Sequence, residues 1–168
     1  MSVYEPVQNI GPEPKPQYDV AQIGPNGHVV NARYRTQPFD NRDHCERCGQ
    51  KALMACPKCN APFRGEYIRV HGSYKTPAHC HKCGSEMPWT ELNRLAAIAM
   101  FADEVTEQHL VTEFKESVGE VCRDTPAAPL AATRLKRLMK KVHESTAKLI
   151  HDTIVKIAAE TIARSLKP

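Results

Sequence analysis

Long apolar runs are missing from this chain. No stretch of 18 apolar residues occurs, so no segment is expected to span a membrane. The first residues, Met-Ser-Val-Tyr-Glu-Pro, offer neither a basic n-region nor an apolar h-region. A secretory signal is therefore not expected, and the expected compartment is the cytoplasm. Aromatic residues are only 6% of the 168, which excludes a large aromatic core. No Gly-rich phosphate loop occurs, because the glycines stand singly. No His-Glu-x-x-His occurs either, and His28 is followed by Val29-Val30 rather than by the x-Glu of a zinc deaminase. With those motifs missing, the chain is not expected to be an enzyme, and no small-molecule substrate is expected. The net charge of +4 is too small to argue nucleic acid by itself.

Cysteine is what the sequence has. Six of its seven cysteines form three Cys-x-x-Cys pairs, Cys45/Cys48, Cys56/Cys59 and Cys80/Cys83. A secreted disulfide scaffold scatters its cysteines, and a thioredoxin-like site needs one pair beside a βαβ pattern. Repeated pairs point instead to reduced thiolates held by metal. Cys56, Cys59, Cys80 and Cys83 give C-x2-C-x20-C-x2-C, the spacing of a four-thiolate zinc site. Two residues between cysteines let one tight turn offer two sulfurs to one ion. Four thiolates close the tetrahedron and leave no open position for chemistry. Iron suits the same tetrahedron.

The Cys45/Cys48 knuckle lacks a partner pair. Upstream stands Asn26-Gly27-His28, and His28 is the best third ligand of a second site. His44 and water are the candidates for the fourth place. Cys122, the odd thiol, reads as a small buried hydrophobe. Trp89 reads as the cover of the metal-bound region, docking it on the helices.

Charge divides the chain into three blocks. Residues 1–90 carry 11 basic and 8 acidic side chains, residues 91–125 carry 3 and 8, and residues 126–168 carry 9 and 3. The expected domains are a flexible Pro-rich arm over 1–18, a tandem zinc-ribbon domain over 19–90 and an α-helical domain over 91–168. The fold class is α+β overall: a small metal-stabilised β head and then helices. Val29-Val30, Ala52-Leu53-Met54 and Tyr67-Ile68-Arg69-Val70 are the strand candidates. Thr90 is expected to cap a helix with the stripe Leu92, Leu95, Ile98 and Phe101. Thr106 is expected to cap a second, with Leu110, Val111, Phe114, Val118 and Val121 on one face, ended by Asp124-Thr125-Pro126. From about Ala131 to Leu166 there is no Gly or Pro, which predicts one long amphipathic helix with the stripe Leu135, Leu138, Val142, Leu149, Ile150, Ile154, Ile157 and Ile162. At about 1.5 Å per residue that stripe outruns the other two helices, so it meets a partner or the tail bends back.

These motifs carry a resemblance. Asn26-Gly27-His28-Val29, Cys45-x-x-Cys48-Gly49, Cys56-Pro57-x-Cys59-x-x-Pro62-x-Arg64-Gly65, Cys80-His81-x-Cys83-Gly84 and Pro88-Trp89-Thr90 resemble the bacterial family of domain of unknown function 2321. So do Ala21-Gln22-Ile23, Asp124-Thr125-Pro126 and Leu130-Ala131-Ala132-Thr133-Arg134. The resemblance implies two zinc ribbons in series, with Cys-x-x-x-His before the first knuckle. This sequence departs there, because Gly24 stands where members place the cysteine.

The expected function is that of a non-enzymatic zinc-binding adaptor or scaffold, meeting a protein partner or a second copy through the C-terminal helices. The alternative is a nucleic-acid-binding ribbon, using the cations around the knuckles (Arg33, Arg42, Arg47, Lys58, Arg64 and Lys82 among them) and interleaved aromatics. The thiolates' own negative charge offsets those cations. Peripheral membrane contact by the basic third helix is not expected.

Overall fold

A computed structural model describes residues 18–68, 72–158 and 162–163. The arm expected over 1–18 lies outside the described residues except for Tyr18, as do Arg69 and Val70 of one strand candidate and the end of the expected long helix. The architecture is α+β. β1 (Tyr18–Val20) pairs antiparallel with β4 (Arg64–Tyr67), and β2 (Gln22–Ile23) pairs antiparallel with β3 (Val29–Asn31). Leu53 joins Ile23 by an isolated bridge rather than a strand. Four helices complete the order: α1 (Pro88–Glu104), α2 (Gln108–Arg123), α3 (Ala128–Met139) and α4 (Glu144–Ile157).

Two hydrophobic cores form. Ala21, Ile23, Phe63, Met87 and Trp89 gather with the sulfur side chains Cys56 and Cys80. Phe101, Phe114, Val118, Leu135, Leu138, Ile150 and Ile154 form the larger, helical core. Phe101 and Phe114 stack there with centroids 4.2 Å apart. Trp89 opens α1 yet belongs to the first core. Its ring stands edge-on to Phe63 at 5.4 Å, and its Nε1–H donates to the Pro77 carbonyl at 2.8 Å. The segments before and after it are thereby joined at the root of α1.

Four helical expectations need correction. Thr106 does not cap α2, because Glu107 holds the N-cap position with its backbone and no side chain caps it. Thr90 does not cap α1. The helix begins two residues earlier, at Pro88, whose ring fixes the φ that a first helical residue needs. Thr90 is buried, and its hydroxyl donates to the Ala78 carbonyl at 2.9 Å. The stripe of α1 is also mis-phased. At about 100° per residue, spacings of three drift by about 60° a step, so Leu92 and Phe101 end on opposite sides. Phe101 is buried, while Leu92 and Leu95 are each 49% exposed.

The single long helix does not exist. It divides after Met139, and the tail bends back so that α3 packs on α2 and α4 packs on α1. Lys140 and Lys141 close α3 with short backbone bonds to Arg137 and Leu138. His143 then takes an extended conformation, ψ 147°, and its Nδ1 accepts from the Ser145 N–H. Glu104, at the end of α1, accepts from the His143 N–H at 2.6 Å and from the Thr146 hydroxyl. A side-chain cap and a tertiary acceptor make the break that Gly or Pro usually makes. The Leu135-to-Ile162 stripe is therefore covered within the chain, apart from Leu149, which is exposed. Cys122 is buried in the helical core, and burial pushes its thiol up to about 12.

Candidate metal centre

Four turns share one hydrogen-bond pattern. The Cys56 N–H donates to the Ala61 carbonyl at 2.9 Å, and the Cys56 carbonyl accepts from the Asn60 N–H at 2.8 Å. Cys80 repeats this with Ser85 and Gly84, and Cys45 with Gln50 and Gly49. Gly24 does the same in a turn one residue shorter: its N–H donates to His28, and its carbonyl accepts from Gly27. The residue donating back is left-handed each time, at φ 57° for Asn60, 70° for Gly84, 70° for Gly49 and 83° for Gly27. Three of the four are glycine because an added Cβ strains that conformation. The bridges His44–Lys51, Ala55–Pro62 and His79–Glu86 pinch three of the turns, and β2 and β3 pinch the fourth.

The turns gather donors into two groups. Cys56, Cys59, Cys80 and Cys83 have sulfurs all within 4.8 Å of one another. Cys56 and Cys83 are 3.8 Å apart at sulfur, and Cys59 and Cys80 are 3.6 Å apart. A tetrahedron of thiolates around an ion at about 2.3 Å has edges of about 3.8 Å, so these sulfurs fit one soft ion. Cys45, Cys48 and His28 form the second group, and His28 Nδ1 lies 3.5 Å from the Cys45 sulfur. A sulfur at about 2.3 Å and a nitrogen at about 2.05 Å would stand about 3.6 Å apart in the same geometry. The six paired cysteines and His28 thus stand in the two groups expected of them. His44 is exposed and, among the described residues, belongs to neither group.

Ser85 is the residue that sequence reasoning missed. Its hydroxyl lies 3.0 Å from the Cys83 sulfur and 3.6 Å from the Cys56 sulfur. Its only sequence signal is its place one residue past the Cys80-x-x-Cys83-Gly84 knuckle. The Lys82 N–H adds a donor to the Cys80 sulfur at 3.4 Å. Ser85 is the chief cause that brings the Cys56 thiol down to about 6. Cys59 moves the other way, to about 12: the Ala61 N–H draws it down, but burial and the thiols of Cys83, Cys80 and Cys56 outweigh that bond. Four adjacent thiols do not ionise together unaided, and a divalent cation bound there would supply the missing charge. In the second group burial opposes ionisation of Cys45, and the N–H groups of Arg47 and Cys48 with the Arg47 guanidinium overcome it.

The family model described as an uncharacterized protein conserved in bacteria (DUF2321) matches residues 17–166, which take in both groups and all four helices. The chain belongs to that family. No curated protein and no solved structure matches it. In this DUF2321 chain both groups could hold a metal ion, and among the described residues no helix is long and apolar enough to cross a membrane.

Proposed function

We propose that the chain is a non-enzymatic adaptor whose head is held together by zinc and whose helices carry the contact with a protein partner or a second copy. Zinc is the reading for the metal because four soft thiolates at tetrahedral separations suit it, and four thiolates leave it no substrate position. Cys56, Cys59, Cys80 and Cys83 are its ligands, with a structural role.

The observation that carries the contact role is the outer face of α1. Leu92 and Leu95, each 49% exposed, continue into the exposed Ala96, Ala99 and Ala102. Large apolar side chains set on one helix face favour covering by another protein surface. The nucleic-acid alternative is weakened by pairing. Arg33 meets Glu66, Arg42 meets Glu46 at 3.0 Å, and Arg94 meets Glu86 at 3.0 Å, so these cations are already engaged.

Two measurements test the proposal. Cys80→Ser is expected to lose about one equivalent of zinc and to unfold the head, since structural zinc contributes on the order of 10–16 kcal/mol in small domains. Unchanged metal content in purified Cys80→Ser protein rejects the zinc assignment. Light scattering on the full chain and on the Leu92→Glu, Leu95→Glu double variant tests the contact. A concentration-dependent molar mass that the double variant loses supports self-association. A monomer that is retained on a polyanion column and released steeply by salt makes nucleic acid the partner instead.

A further inference from the structure

The second group has three donors, and its missing fourth has a definite place. In the turns of Cys45, Cys56 and Cys80, the residue whose N–H closes the turn and whose carbonyl accepts the bond back is the cysteine that turns its sulfur into a group. Gly24 occupies that place in the fourth turn. A Cβ built on Gly24 would lie 3.0 Å from the Cys45 Cβ and 3.1 Å from its sulfur, so the glycine's missing side chain points into the group. The corner belongs to the tetrahedron and carries only hydrogen. Three protein donors leave the fourth position to water, whereas four make a closed structural site, so this group holds its ion by one protein bond fewer. Two thiolates and a neutral imidazole also balance a divalent ion to zero, against −2 for the four-thiolate group, so the second group attracts its ion less strongly.

The same turn touches the helices. A Cβ built on Gly27 would lie 3.0 Å from the Trp89 Cβ and 3.2 Å from its Cγ, so the turn that carries His28 rests directly on the indole. Trp89 is in the first turn of α1 and is the only tryptophan of the chain. His28 is the next residue along the chain from this contact.

We propose that His28, Cys45 and Cys48 form an exchangeable site for a soft divalent cation of the zinc class, with water completing the corner at Gly24, and that its occupancy is passed to α1 through the Gly27–Trp89 contact. The inference rests on the zinc reading of the first group and deepens it: one ion builds the head, and the other reports the supply of free metal.

The test uses the full zinc-loaded chain, a mild chelator and Trp89 emission. One of two equivalents is expected to leave first, with a shift of Trp89 emission, and added zinc is expected to restore both. His28→Ala is expected to hold one equivalent and to show no such step. Cobalt in the exchangeable site should show the charge-transfer intensity of two thiolates, about half that of the four-thiolate site. Gly24→Cys supplies the fourth donor once Cys45 yields by a few tenths of an ångström, and it should keep both equivalents through the same treatment. Two equivalents released alike in wild type and His28→Ala overturn the site, and release without any change in Trp89 emission overturns the coupling. Failure of the four-thiolate reading shows in Cys80→Ser and not in His28→Ala, so the two failures are separable.

Discussion

Ser85 reaches a sulfur beyond its own knuckle. Its hydroxyl reaches Cys83 from its own turn and Cys56 from the facing one, so a single donor steadies both halves of the four-thiolate group. Groups that hydrogen-bond metal ligands typically tune affinity by about 10–100-fold. Ser85→Ala is accordingly expected to weaken the more tightly held equivalent by about that factor while leaving the fold intact, read by competition against a chromophoric chelator. An unchanged affinity would show that Ser85 merely neighbours the sulfurs. The ligands themselves were legible because Cys-x-x-Cys states a turn and its purpose at once. Ser85 was not, since nothing in a serine's identity says which sulfur it will meet. Gly24 was legible only as a lack; the hydrogen bonds of its turn are what give the lack a position.

Glu104 shows why the third helical segment misled. Helix starts are usually read from local residues, and His143-Glu144-Ser145 does carry a cap, but no Gly or Pro marks the stop before it. The acceptor that fixes the break lies 39 residues away, at the end of α1, and sequence periodicity is blind to it. Leu135 and Leu138, and then Ile150 and Ile154, do line a buried face, because each half keeps its own period. The phase of α1 failed for the opposite reason: a spacing of three fits neither an aligned stripe nor a strand. Glu104 is held below the usual carboxylate range, first by the Thr146 hydroxyl and then by the His143 N–H. A depressed carboxylate stabilises the fold above its unfolded value, 4.5, and that contribution is lost as pH falls through the lower folded value. Glu104→Gln should therefore melt below wild type at neutral pH, and the gap should close in acid. A gap independent of pH would mean that the carboxylate's charge plays no part at the α1–α4 corner.

At the scale of the molecule, the two cores differ in what sustains them. The helical core is built from apolar side chains, with Leu135, Leu138, Ile150 and Phe114 fully buried and no ligand of either group among them. The head has strands of two to four residues and draws Cys56 and Cys80 into its own core. A β element that small rarely holds without a staple, whereas a four-helix assembly with a continuous apolar interior holds by burial. Metal removal should therefore separate them. A strong chelator is expected to leave most of the far-UV helical signal in place while backbone amides of residues 18–68 lose their protection from hydrogen exchange. Trp89, packed on Phe63 and Gly27 from the first turn of α1, should shift its emission to the red in the same step. If the helical signal instead collapses with the metal, the joint at Trp89 fuses the two cores into one cooperative unit, and the helices depend on the head that they carry.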